Sequence, residues 1–191
     1  MFLLGEPSGE YVKEFLRGQE DQPFSYAEVG KSRTGAPSGY TVDHNRVRLG
    51  EGEEVFVRAA EALRRWKMFD LGWVRILPPD ARIEVGTTVA VVGRHYGFWS
   101  LNACRIVYLI EEEGEVRRYG FAYGTLPEHA ESGEERFTVE WNRADDSVWY
   151  DVYAFSRPKH PLARLGYPVG RMLQKRFARD SKQAMKRSVE L

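Results

Sequence analysis

One cysteine, Cys104, stands in a chain of 191 residues. That excludes an internal disulfide framework and any cysteine-based zinc site. Its surroundings, Leu101 to Ile110, alternate like a strand, so it reads as a small buried hydrophobe rather than a nucleophile. No apolar run approaches the roughly 20 residues that span a bilayer. Met1-Phe-Leu-Leu is too short for a signal-peptide core and has no basic leader, so the expected location is cytoplasmic. Histidine is sparse: His44, His95, His129 and His160 are scattered, and none has a second histidine at helical i+4 spacing. No Gly-x-Ser-x-Gly elbow or locally supported Ser-His-Asp set is present. Gly50-x-Gly52 precedes a helix but lacks a third glycine, and Glu53 and Glu54 would repel a phosphate there. The sequence therefore points to no catalytic residue, no metal site and no cofactor, and leaves enzyme activity open while leaning against it.

Charge is absent in sum and present in distribution. The whole chain carries a formal net charge of +0, yet Arg157 to Leu191 holds ten Lys/Arg against two Asp/Glu, a net of +8. Leu165, Val169, Met172, Leu173, Phe177, Ala184 and Met185 recur there at three- and four-residue intervals, which predicts one long amphipathic helix. Arg171, Lys175, Arg179, Lys182 and Lys186 line up along its other side. The plain reading is a solvated helix face; contact with an anionic membrane surface is the alternative. Nucleic acid is not an expected partner, because no recognition motif accompanies the patch.

Five Trp, ten Tyr and ten Phe tilt the chain toward a β-rich fold, as a packed aromatic core or as pocket walls. Tyr11–Arg17 predicts a short helix, and the Gly/Ser/Pro-rich stretch Gly30–Gly39 a loop. Gly39–Asp43 and Arg46–Leu49 read as two short strands. A clear helix follows from about Glu53 to Trp66, with acids in its first turn and bases in its last. Beyond Pro78-Pro79 the period becomes two, and strands are expected at Thr87–Tyr96, Ser100–Ile110, Arg117–Gly124, Glu135–Trp141 and Val148–Phe155. Short turns join several of them, so neighbours should be antiparallel. The expectation is a single domain, 1–191, of α+β class: a curved antiparallel β-sheet packed against a long C-terminal α-helix.

His129, Glu131, Glu134 and Glu135 form the densest polar cluster, readable as a metal site, a general acid–base site or a polar ligand contact, although Pro127–Gly133 reads as a loop, where charged residues are usually just solvated. Alternation puts Glu135 on one face with Phe137, Val139 and Trp141, the covered face. A buried carboxylate there would need a partner such as Arg105, Arg136 or Arg157.

The strings GFAYGTLPEHAESGEERF (120–137), AFSRP (154–158) and RLGYPVGRMLQKRFARDS (164–181) resemble the DUF1990, or UPF0548, family. EVG (28–30), PSGY (37–40), LGEGEEVFVRAAEAL (49–63) and GWVRILPP (72–79) extend the resemblance over nearly the whole chain. It brings no activity with it. The order of elements is also similar to the START/Bet v 1-like helix-grip fold, whose members typically hold lipids, sterols or polyketide-like molecules between sheet and helix. Some are cyclases, hydratases or co-chaperones.

A soluble binding protein for a small hydrophobic molecule is thus expected. Tyr108, Phe121, Tyr123, Phe137, Trp149 and Tyr153 are the candidate walls, and Met172, Leu173 and Phe177 close the cavity from the helix. Glu135, Arg136 and Arg157 are the candidate polar anchors. Alternatives are an enzyme doing acid–base chemistry on an aromatic or polyketide-like substrate, marked by a shifted carboxylate or histidine in the pocket, and a partner-binding module with a filled core. A one-residue error in register would reverse the wall residues.

Overall fold

The computed structural model describes residues 1–159 and 166–190. Among these, eight strands form one antiparallel sheet: β1 Phe2–Leu3, β2 Thr41–Glu51, β3 Val74–Leu77, β4 Thr88–Arg94, β5 Trp99–Glu112, β6 Val116–Thr125, β7 Glu131–Asn142 and β8 Ser147–Pro158. Their order is β2-β8-β7-β6-β5-β4-β3, with β1 paired to the start of β5. Three α-helices accompany them among the described residues: α1 Gly9–Arg17, α2 Glu53–Arg64 and α3 Tyr167–Val189. The expected α+β helix-grip arrangement is what forms, a curled sheet closing on a long C-terminal helix. Register shifts at Arg48/Gly50 in β2 and Ile106/Tyr108 in β5 help the sheet to curl, because a bulge bends its strand and increases local twist.

Several boundaries differ from the periodicity. The two short strands expected at 39–49 are one strand, β2, whose alternating burial is continuous across His44 and Asn45. Strand β7 begins at Glu131, inside the expected loop, since Glu131–Gly133 pairs with Ser156–Pro158. The basic segment is not one helix from Arg157: β8 runs through Pro158 and α3 starts at Tyr167, with Pro168 in its first turn. His160, Pro161 and Leu165 lie outside the described residues.

The inner face of the sheet is apolar and aromatic. Phe121, Phe137, Val139 and Tyr150 pack with Phe56, Ala59 and Leu63 of α2, and with Trp66, Met68 and Phe69 just beyond it. Gly52 at φ 88° turns the chain from β2 into α2, a conformation that costs a residue without a Cβ little. The acidic first turn Glu53-Glu54 and basic Arg64 complement the helix dipole. Trp66 then leaves the helix with φ 54° and donates its indole N–H to the carbonyl of Ala81 at 2.8 Å.

The two halves of α3 do different work. Ser181, Ala184, Met185 and Val189 of the C-terminal half are buried on the core, and the Ser181 hydroxyl meets Tyr150 at 2.8 Å. The N-terminal half, Leu173 to Ala178, stands off the sheet and roofs a cavity.

Candidate functional site

The cavity has a volume of about 220 Å³ and lies between the N-terminal half of α3 and the inner faces of β2, β8, β7 and β6. That equals about seven water molecules at about 30 Å³ each. Phe69, Trp73, Tyr123 and Phe177 supply its aromatic walls. The Phe177 ring packs on Phe69 at 5.0 Å between centroids, so helix and post-α2 turn lean together over the opening.

Carboxyl groups set its polar character. On β7 the residues Glu131, Gly133 and Glu135 share the inward face, and on β2 Asp43 and Asn45 do. Glu135 Oε2 accepts a hydrogen bond from the Tyr123 hydroxyl at 2.7 Å, and among the described residues nothing bonds to its other oxygen. Burial raises its pKa to about 7, opposed by the Tyr123 bond and reinforced by Asp43 and Glu131. Burial also pushes the Tyr123 hydroxyl well above its ordinary 10, so it remains a donor. Glu131 is raised as well, mainly by burial; it accepts from Ser156 Oγ and from Gln174 Nε2, the latter at 2.7 Å. Asp43 is engaged by Arg171, whose guanidinium grips both its oxygens, Nη2 to Oδ1 at 2.7 Å.

Two histidines complete the rim. His129 Nδ1 lies 3.0 Å from both the backbone N–H and the carbonyl of Glu131. Burial, aided by the N-terminal ammonium, lowers its pKa to about 3. His95 Nε2 meets Ser100 Oγ at 2.8 Å, while its buried Nδ1 has no partner among the described residues. Burial and then Arg176 lower His95 also. Both imidazoles are neutral at pH 7. Among the described residues, no three His, Cys, Asp or Glu side chains converge as a metal's donor set would. Cys104 is fully buried, and burial raises its thiol well above the ordinary value.

The structure brings four of the expected wall and anchor residues to this cavity: Tyr123, Glu135, Leu173 and Phe177. Phe121 and Phe137 lie on the same face but one layer below, filling the core. Their rings are 5.5 Å apart, with Trp66 4.9 Å from Phe121 and Phe69 5.5 Å from Phe137. Met172 is half-exposed and faces away from the cavity. Tyr108, Arg136, Trp149, Tyr153 and Arg157 sit on the opposite face of the sheet. Tyr108 is turned outward by the β5 bulge, which reverses the alternation between Ile106 and Leu109. It hydrogen-bonds Ser32 Oγ at 2.6 Å under the Arg33 guanidinium. In β8 the inward set is Val148, Tyr150, Val152 and Ala154, so Trp149 and Tyr153 alternate outward, stacked by Arg46 and Arg136. Arg136 adjoins Glu135 in the same strand and necessarily points the other way; it bonds the Ser32 carbonyl at 2.9 Å and Asp151 at 3.3 Å. Arg157 covers Tyr40. None of the arginines proposed to neutralise Glu135 reaches it: Arg105 is spent on the carbonyls of Gln19, Glu20 and Gln22.

Glu134 is bound on that opposite face. Its carboxylate receives the Tyr26 hydroxyl at 2.7 Å, the Gly30 and Ser32 N–H groups at 2.7 and 2.9 Å, and the Ser32 hydroxyl. This clasps the loop before β2 to the sheet. The bare surface at Gly124 makes room for it, since a Cβ there would lie 2.1 Å from the Tyr26 hydroxyl.

The basic side of α3 is divided. Arg171 is committed to Asp43, Lys182 reaches Asn45 at 3.3 Å, and Arg179 pairs with Asp180. Lys175 and Lys186 have no ionic partner among the described residues. No helix among them is long and apolar enough to cross a membrane.

Asp43, His95, Phe69 and Trp73 were not singled out from the sequence, and Glu131 and His129 were read only as members of the polar cluster at 129–135. Alternation within β7 and β2 carries a signal for Glu131 and Asp43. Phe69 ends a single 3-10 turn, Lys67–Phe69, and Trp73 lies in the loop after it, segments too short for a period to mark the inward side.

Comparison with known proteins agrees with this architecture. A solved structure of TTHA0849 from Thermus thermophilus superposes with a TM-score of 0.50 at 15% identity, covering 78% of this chain and 97% of that one. In sequence, a UPF0548 protein of Dictyostelium discoideum is 36% identical over 208 residues, covering 99% of this chain and 96% of its own. Another from Deinococcus radiodurans is 40% identical over 191 residues, covering 94% of each. The family model for the domain of unknown function DUF1990 matches residues 25–184. The chain thus belongs to the DUF1990 (UPF0548) family, carried on a helix-grip fold.

Proposed function

We propose that this protein binds a small molecule in the cavity under α3, its apolar body against Phe69, Trp73 and Phe177 and its polar end on the Glu135–Tyr123 pair. One observation carries the reading. Glu135 presents an oxygen with no protein partner among the described residues to a recessed, largely aromatic space. A donor group on a ligand would find its acceptor at that point. The volume suits a molecule of one or two rings, below the roughly 300–1,000 Å³ of pockets for drug-sized ligands. The test is native mass spectrometry of the protein as purified, followed by organic extraction. A stoichiometric small molecule, lost in a Leu173→Trp variant that fills the cavity, supports the reading. A protein that stays empty and binds nothing from an aromatic fragment set overturns it.

A second reading has its own support. A general acid or base works best with a pKa near ambient pH, and Glu135 at about 7 meets that condition beside a tyrosine donor. An enzyme here would move a proton to or from the bound molecule at Glu135 Oε1. Incubating an extracted ligand with wild type and Glu135→Gln separates the two: product formed only by wild type, with binding retained by both, establishes turnover.

A further inference from the structure

Resting on the cavity being a ligand site, we infer that its ligand class is a small organic cation, an aromatic or alicyclic amine whose ammonium sits on the free oxygen of Glu135, in the field of Glu131. The argument is a count of charge against partners. Besides the Glu135–Tyr123 pair, the titratable groups that line this space are Asp43 on β2, Glu131 and Glu134 on β7, His129 before β7 and His95 after β4, with Arg171 of α3 at its edge on Asp43; Glu134 already holds four donors. Arg171 is the sole cation among these, and both its terminal nitrogens are taken up by Asp43. Two further cations of α3 stand nearby and are also engaged: Arg176 covers Trp73 and pairs with Asp180 at 3.5 Å, and Lys182 bonds Asn45. The two imidazoles are neutral. Glu131 is hydrogen-bonded by neutral donors alone, Ser156 and Gln174, and the pull it feels from Arg171 is opposed by Asp43. Glu135 is held by Tyr123 alone.

Two carboxyls therefore share a buried space with no ion pair of their own among the described residues. Lone buried carboxylates are costly, and an opposite charge within about 4–6 Å is what relieves them. An anionic ligand would add a third like charge, and a neutral alcohol would satisfy one hydrogen bond while leaving the charge uncompensated. An ammonium supplies a charged donor for the free Glu135 oxygen, and its charge also offsets that of Glu131. The walls agree with this choice. The rings of Trp73, Phe69 and Phe177 border the same space, and an aromatic ring attracts a cation as well as an apolar body.

The ligand need not be known to test its class. Benzylamine, benzyl alcohol and benzoate have one ring each and differ in the charge of the end group. Their binding is measured by calorimetry on the full chain at pH 6 and pH 8, in wild type and Glu135→Gln. The expected order is benzylamine, then benzyl alcohol, with benzoate weakest. Benzylamine should bind about tenfold more weakly at pH 6 than at pH 8, because a carboxyl titrating near 7 is about nine-tenths protonated at the lower pH. Glu135→Gln should lose at least tenfold in benzylamine affinity and most of the pH dependence while keeping benzyl alcohol, which also reports that the variant is folded. Benzyl alcohol or benzoate binding as tightly as the amine, or an amine affinity unmoved by Glu135→Gln, overturns the cation and leaves the cavity reading standing. Failure of all three probes on wild type overturns both.

Discussion

Replacing Glu135 by Gln should stabilise the protein, and only above a certain pH. In the folded chain this carboxyl titrates at about 7 against an ordinary 4.5, chiefly because burial disfavours its charge. At about 1.4 kcal/mol per pH unit the difference is worth about 3 kcal/mol. The sign follows from proton uptake. Below pH 4.5 the group is protonated both folded and unfolded, and it leaves stability unchanged. Between 4.5 and about 7 the unfolded chain ionises and the folded one resists, so stability falls as pH rises; above 7 the loss is complete. Glutamine keeps the size and still accepts the Tyr123 hydroxyl, and it has no charge to bury. Urea unfolding of both proteins at pH 4.5, 6, 7 and 8 reads the gap between them, which should grow from near zero to about 3 kcal/mol in favour of Gln. His129 acts oppositely: its folded pKa of about 3 lies below the ordinary 6.5, so its contribution is whole above 6.5 and is lost as pH falls. Both proteins carry His129, so subtraction removes its effect. An infrared band of protonated carboxyl, present at pH 6 and bleached above pH 8 in wild type alone, gives an independent reading. Parallel stability curves, or a variant weaker than wild type at pH 8, would show that Glu135 is an ordinary or ion-paired carboxylate and would refute the reasoning.

Phe177→Ala should cost about 2–4 kcal/mol, the low side of the range for buried aromatics, because one flank of the ring already borders the cavity; the same variant should admit larger probes in a binding screen. Glu134→Ala removes the acceptor of four donors and should cost about 3–5 kcal/mol, with protease cleavage or amide exchange concentrated in residues 25–35 if the clasp is what holds that loop. Gly124→Ala should lower stability by displacing Tyr26 from Glu134, and Tyr26→Phe in the same background should recover little, since the ring as well as the hydroxyl meets the new methyl.

The helix Glu53–Arg64 was legible because its apolar residues, its acidic start and its glycine entry agree on one structure. So was the antiparallel sheet, from period two and short turns, and so was the inward orientation of Glu135 with Phe137, because alternation within one unbroken strand is local arithmetic. Parity across strands is another matter. Tyr108 has the same parity as Cys104 and Ile106, and a single extra residue in β5 turns it outward. Trp149 and Tyr153 look like pocket walls by residue type, yet β7 and β8 pair with Phe137 opposite Val152, so Val148, Tyr150, Val152 and Ala154 face in instead. The strings shared with the DUF1990 family were visible without any geometry, since identity along the chain needs none.

The amino-acid order by itself thus determined the class of fold, the long basic helix near the C-terminus and the presence of a carboxyl on the covered face. Each depends on residues within a few positions of one another, where backbone periodicity couples neighbours directly. The cavity and its chemistry belong to the tertiary structure. Glu135 was expected to find an arginine; curling of the sheet instead put Tyr123 beside it, gave the nearby Arg171 to Asp43, and held Arg136 on the far face. A carboxyl's charge state is fixed by what lies within a few ångströms of it, and those neighbours come from residues 43, 123, 131 and 171, brought together only when the helix closes on the sheet.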